Sequence, residues 1–351
     1  MLDEIIVGQG LIGSLLAWRL IEAGHRVLVI DDGERENASR VAAGLVNPLA
    51  GRRLRPPAGL EAARAAGQRV WRRLEQHFGQ PFFHPLPMLR LFNGPAQAMR
   101  HAELRADPAL RRYAGPRLDT SRLPQPHGGF VQRHTGWLDT GALLDALGAW
   151  LARHDALRRE LTHAREFQAR ADMVRWRDLR ARRVIFCEGW RMRDNPWFDW
   201  LPLQPAKGEI LDLALPEAAP RAIVNGGCWA IPLGDGRLRF GASNRWCFDD
   251  DRPEPAARAW LLAEYRRLCG RQPPKVLAQR AGIRPGTPDR QPFLGCHPYQ
   301  PRLWVCNGFG ARGALFAPLH VEALTRRLCA GQPLPAAIDI SRYRKRLDAS
   351  G

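Results

Sequence analysis

The sequence predicts an α/β fold: a doubly wound, dinucleotide-binding domain interleaved with a second, α+β domain built on an antiparallel sheet. Three observations lead there. The first thirty residues read as strand, glycine-rich turn, helix and strand. The middle of the chain carries short strands with turn signals, and a second glycine-rich turn follows a strand near residue 305. With 351 residues, 45% of them hydrophobic, the chain has enough apolar material for one large or two interleaved cores.

The amino-terminal unit is the clearest. Glu4 to Val7 reads as a buried strand, followed at once by Gly8-Gln9-Gly10-Leu11-Ile12-Gly13, an amphipathic stretch from Ser14 to Ala23, and a second strand from Arg26 to Ile30 that ends in Asp31-Asp32. In this strand-helix-strand order a G-x-G-x-x-G run has a mechanical meaning. Gly8 permits the tight turn, Gly10 lets the backbone approach a pyrophosphate, and Gly13 lets the helix pack closely on the strand. Leu11 and Ile12 lie between them at the helix start, where free N–H groups and the positive dipole end face the phosphates. Asp31 stands where an acid can accept the ribose hydroxyls of an adenosine, with Asp32 beside it; an acid there argues against a 2′-phosphate. These features do not separate FAD from NAD. Next comes a run of small residues, Ala38-Ser39-Arg40-Val41-Ala42-Ala43-Gly44-Leu45, suited to a helix whose N-terminus faces the pyrophosphate and which lets a planar ring lie close.

After Pro48 the pattern changes. Arg52 to Pro57 is a basic, proline-broken turn, Glu61 to Phe78 a helix, and Met88 to Phe92 an alternating strand. Gly136 to Thr140 leads into a helix from Gly141 to Ala152, with Asp139 as its expected N-cap. Arg183 to Cys187 reads as a further buried strand closing in Glu188-Gly189-Trp190. Ala222 to Pro232 and Leu238 to Ala242 form a hairpin about an Asp-Gly turn, and Arg252 to Leu268 returns to a helix. The stretch Ala281-Gly282-Ile283-Arg284-Pro285-Gly286-Thr287-Pro288-Asp289-Arg290-Gln291-Pro292-Phe293-Leu294-Gly295 follows. Leu303 to Cys306 is then a strand leading into Asn307-Gly308-Phe309-Gly310-Ala311-Arg312-Gly313 and a helix from Ala314, interrupted early by Pro318.

Several of these phrases resemble the D-amino-acid oxidase and glycine oxidase superfamily of FAD enzymes. They are the serine and small residues after Asp31, the Gly136-Trp137-Leu138-Asp139 phrase before a helix, the Pro205-Ala206-Lys207-Gly208 crossing, and above all the 281–295 stretch. The resemblance spans nearly the whole chain and is dense at its two ends. It implies a Rossmann-type FAD-binding domain (1–51, 133–202 and 276–351) interleaved with an antiparallel-sheet α+β substrate domain (52–132 and 203–275). It further implies noncovalent FAD, with Ser39, Arg40, Gly44, Gly189, Gly308, Gly310, Ala311, Arg312 and Gly313 joining the amino-terminal loop as cofactor contacts. Arg284, just before a proline-fixed turn, can present its planar fork to a substrate carboxylate. Arg312 serves substrate or flavin, while Trp229 and Trp246 are expected to shape the substrate pocket.

The activity so implied is oxidation of a C–N bond in a small amino acid or secondary amine. Two other readings stay open: a flavoenzyme acting on a modified tRNA base, and a non-catalytic FAD-binding subunit of a larger dehydrogenase. The formal net charge of +18 bears on the first. Its cations are almost all arginines scattered through periodic segments rather than gathered into one tract, so nucleic acid is not the expected partner. The seven cysteines show no C-x-x-C pair, which signals neither a disulfide framework nor a metal site. The start MLDEIIVGQG lacks a signal-peptide pattern, and no apolar run reaches membrane-spanning length, so the expected location is the cytoplasm. Oligomeric state is not legible.

Overall fold

The computed structural model describes residues 1–33, 37–51, 53–118, 127–216 and 221–348. Residue 52, the expected start of the excursion into the second domain, lies outside the described residues.

The amino-terminal pattern folds as a parallel sheet because its strands are apolar on both faces and its helices are apolar on one. Leu2–Val7 lies between Val27–Asp31 and Leu179–Phe186, parallel to both. Leu157–Arg159 extends one side, and Gln300–Asn307 extends the other, parallel to Leu179–Phe186. Phe293–His297 adds antiparallel to Gln300–Asn307. Helix α1 (Leu11–Glu22) buries Leu15, Leu16, Trp18 and Leu20. The short helix α2 (Ala38–Val41) follows, then the long α3 (Leu60–Phe78) and α4 (Pro95–Ala106). Asp139 caps helix α5 (Thr140–Arg153) by accepting the Ala142 N–H at 3.0 Å. Helix α6 (Pro255–Cys269) and helix α7 (Gly313–Ala330) follow. One apolar cluster joins α1, α3, α5 and α7 to one face of the parallel sheet; a second, with Phe167, Trp176, Phe186 and Phe198, covers the other.

The second sheet has eight strands, in the order Val276–Gly286, Gln204–Ala214, Arg237–Gly241, Cys228–Pro232, Ile223–Gly226, Met88–Leu91, Gly129–Gln132 and Ala114–Arg117. Four expectations need correction. The sheet is mixed, because Ile223–Gly226 runs parallel to Met88–Leu91; these come from two distant excursions, so no hairpin forces them antiparallel. Strand Val276–Gly286, expected with the dinucleotide-binding unit, pairs along its length with Gln204–Ala214 in the second sheet. The stretch 222–232 is two strands, broken at Gly227, whose φ of +104° makes the reversal. Helix α7 continues through Pro318, which stands near its start, where only one interior hydrogen bond is lost.

Candidate functional site

The carboxyl ends of the parallel strands and one face of the second sheet enclose a cleft of about 2600 Å³. Drug-sized ligand pockets hold roughly 300–1000 Å³, so there is room here for a dinucleotide and a further small molecule together.

At the first sheet the glycine loop is built by contact. A Cβ on Gly13 would stand 1.9 Å from the Gly8 carbonyl oxygen, so only hydrogen allows α1 to seat on the strand. Gly13 itself does not line the cleft, whereas Gly8, Gly10, Leu11 and Ile12 do. The Leu11 N–H donates to Ser39 Oγ at 3.0 Å, tying the start of α1 to α2, whose own first N–H groups, those of Ser39 and Arg40, donate to Asn37 Oδ1. Asp31 holds the loop: one oxygen accepts the Gln9 N–H at 2.7 Å, and the other accepts Gly33 N–H at 2.9 Å and Arg159 at 2.8 Å. Asp32 accepts from Arg191 at 2.6 Å. Arg159 was not legible in the sequence because its strand lies 128 residues from Asp31.

Across the cleft, paired residues of adjacent strands share a face. The register therefore puts Arg284, Gly282, Gly208, Ile210, Gly241, Trp229, Asn225 and Arg90 on one side of the second sheet. Arg284 lies flat over Gly208, where a Cβ would stand 2.0 Å from the guanidinium. It donates to the Ser243 carbonyl at 3.3–3.4 Å and to Asn244 Oδ1 at 3.1 Å, all neutral acceptors. Burial lowers its affinity for the proton, and among the described residues it has no carboxylate partner. A guanidinium held half-buried without a counterion is a ready receptor for a carboxylate. Arg312 also lines the cleft, with burial and then Arg290 lowering its pKa.

Ser39, Gly44, Gly189, Gly310, Ala311, Gly313 and Trp229 also line the cleft. Besides Gly13, three expected residues do not. Arg40 turns away to pair with Asp145 of α5 at 2.7 Å. Gly308 packs against Thr287 and Phe293, its φ of +81° turning the chain rather than facing the cavity. Trp246 is 62% exposed, on a bend outside the sheet, beside Arg193 and Phe248. A tryptophan near a strand end gives no sequence signal of which way it points.

Glu188, between the expected strand and Gly189, is the main residue missed here. It keeps part of its surface open to the cleft, and burial raises its carboxyl to about 7, opposed by the Asn195 amide that donates to it at 2.7 Å. An acid raised in this way holds its proton in the folded protein up to about pH 7, whereas the unfolded chain releases it near 4.5. Stability is therefore expected to fall as pH rises between those values and to level off above them. Glu188→Gln should flatten that decline, read as a smaller difference in Tm between pH 5 and pH 8; an equal difference in both proteins refutes the assignment.

Residues 3–327 match the family model described as DAO, FAD dependent oxidoreductase. The chain belongs to this family. Among curated relatives, glycine oxidase of Pseudomonas aeruginosa is 27% identical, covering 94% of this chain and 95% of that protein. A tRNA 5-methylaminomethyl-2-thiouridine biosynthesis bifunctional protein of Azoarcus sp. is 28% identical over 96% of this chain, which spans only 58% of that relative's length. The fold is that of iminodiacetate oxidase from Chelativorans sp. BNC1, with a TM-score of 0.80 at 21% identity, covering 97% of this chain and 98% of that one. Glycine oxidase from Bacillus cereus aligns with a TM-score of 0.79 at 18% identity over 95% of this chain and 96% of that one.

The donor set fits FAD: a helix start with side-chain-free glycines, an acid fixed at the end of the second strand, and the glycine-bearing turn 310–313, whose Gly313 lies against Leu11, on the same cleft. Among the described residues no helix is long and apolar enough to cross a membrane, and none of the His, Cys, Asp and Glu side chains form a metal-binding group.

Proposed function

We propose that this DAO-family enzyme oxidises a C–N bond in a small amino acid or secondary amine that carries a carboxylate. The observation that carries the reading is Arg284, half-buried on the cleft-facing side of the second sheet, bonded only to neutral acceptors and free of any carboxylate among the described residues. FAD, when bound, would supply the two-electron acceptor for a hydride from the carbon beside nitrogen. The chain's part is placement. Arg284 fixes the carboxylate, and with it the α-carbon, in one orientation. Trp229 gives an apolar wall. The nitrogen gives up its proton and the lost hydrogen leaves an imine, which water hydrolyses to an oxo acid and an amine. No protein base is required once the amine is neutral.

The test is anaerobic. A panel of amino acids and N-methyl amino acids is added to the purified holoprotein while the oxidised flavin absorbance is followed. Bleaching by carboxylate-bearing amines and not by their decarboxylated counterparts supports the proposal; bleaching by neither removes it. FAD is proposed to be noncovalent, so acid precipitation should release all the colour into the supernatant.

A second reading, action on a modified tRNA base, is favoured by the net charge of +18 and by the Azoarcus relative. It calls for tRNA binding that weakens steeply with added salt. Salt-insensitive turnover of a free amino acid would exclude it as the main activity.

A further inference from the structure

Arg90 is a buried cation of the cleft. It sits on strand Met88–Leu91, is only 4% exposed, and still lines the cavity. Its guanidinium donates to Asn225 Oδ1 at 2.6 Å and to the Gly51 carbonyl at 3.0 Å, and its Nε has no partner among the described residues. Of five N–H donors, two are thus engaged, both by neutral oxygens. Burial pushes its pKa down to about 10, so it remains charged near neutrality.

Elsewhere in the same sheet, cations are neutralised where they are buried. Lys207 pairs with Asp250 at 3.4 Å and Glu254 at 2.8 Å; Arg239 and Arg280 share Asp212 at 3.0 and 2.6 Å. Among the described residues Arg90 and Arg284 have no such acid, and both face the cleft. A charge withdrawn from water without a counterion is costly, and two on one wall of one cavity, Arg90 buried and Arg284 half-buried, point to a ligand that supplies both counterions.

The sheet fixes the spacing. Arg284 bends over Gly208 and reaches Ser243, which puts its head between strands Gln204–Ala214 and Arg237–Gly241. Arg90 bends to Asn225, on strand Ile223–Gly226. Between these points lie two to three strand spacings of about 4.8 Å, and Gly208 stands two residues, about 7 Å, along its strand from the row of Ile210, Gly241, Trp229 and Asn225, so the heads stand about 14 Å apart, with Trp229 on the strand between them. A bidentate arginine–carboxylate pair places the two central carbons about 4 Å apart. Two carboxylates separated by about 5 Å, the span of two C–C and two C–N bonds, therefore bridge heads about 13 Å apart.

We propose that Arg90 is a second carboxylate-binding residue and that the substrate class is a dicarboxylic amine, with one acid held by Arg284 and the other by Arg90. This rests on the oxidation of a carboxylate-bearing amine proposed above. Trp229 floors the middle of the ligand, where the nitrogen lies.

The experiment uses the holoprotein and two matched pairs of probes: iminodiacetate with N-methylglycine for turnover, and thiodiacetate with (methylthio)acetate as inert ligands, whose binding is read by perturbation of the flavin absorbance. The wild-type protein is expected to bind each diacid at least tenfold more tightly than its monoacid. Arg90→Met should reduce diacid affinity at least tenfold more than monoacid affinity, and Arg90→Lys, which keeps the charge, should recover part of the difference. Arg284→Met should weaken both members of each pair. Equal losses for diacid and monoacid in Arg90→Met, or a wild-type protein that does not prefer diacids, overturn the proposal while leaving amine oxidation standing. Should Arg90→Met fail to fold, the wild-type preference and Arg90→Lys decide alone. Failure of every amine to bleach the flavin, with no diacid binding, removes both readings.

Discussion

Arg284→Ala is expected to weaken any carboxylate-bearing substrate by about 1.5–3 kcal/mol, or roughly 10- to 150-fold, the worth of a lost charge-assisted hydrogen bond. The residue makes only long or neutral bonds inside the protein, at 3.1–3.4 Å, so its removal breaks no ion pair and leaves no acid stranded. The loss should thus fall on ligand affinity with little change in Tm. Gly208→Ala is a companion that keeps the arginine. Its new methyl group would occupy the space of the guanidinium, the far end of a flexible side chain that can swing aside. It should lower affinity for the same ligands while the fold holds. Unchanged carboxylate affinity in Arg284→Ala would retire the anchor.

The second large effect is expected at the cofactor end. Gly13→Ala drives a methyl group against the backbone carbonyl of Gly8, and backbone cannot yield as a side chain does. Helix α1 must lift from strand Leu2–Val7, at a cost of about 1–3 kcal/mol for overpacking. The same shift moves the Leu11 N–H from Ser39 and the Gln9 N–H from Asp31. The variant should purify with little or no bound flavin. Flavin content is measured from absorbance after acid release, and circular dichroism checks that the chain is folded. A folded variant with one FAD per chain and wild-type Tm would refute this account of the loop.

The two outcomes probe different links between sequence and site. The glycine loop, Asp31 and the start of α1 were legible because they are local: one strand, one turn and one helix, each set by neighbours along the chain. Arg284 was legible because a proline-fixed phrase marks it. Arg40 and Trp246 were misplaced for the converse reason. Which way a side chain leaves a four-residue helix, or a bend outside a sheet, depends on the partner it meets, Asp145 for the one and solvent for the other. Arg90 carried one signal that was not used, a lone charge in the otherwise apolar run Met88 to Phe92. Nothing along the chain, however, could place it on the same wall as Arg284.

By itself, then, the sequence determined the class of the fold, the glycine turn with Asp31 after it, and the turn that carries Arg284, all of them consequences of short-range pattern. Only the tertiary structure decided that residues 276–286 join the second sheet, that Arg159 clamps Asp31, that Glu188 is held near neutrality, and that Arg90 faces the same cavity as Arg284. The physical reason is that pairing between distant strands and the loss of water around a charge are properties of the assembled interior, and neither has a period that can be read along a chain.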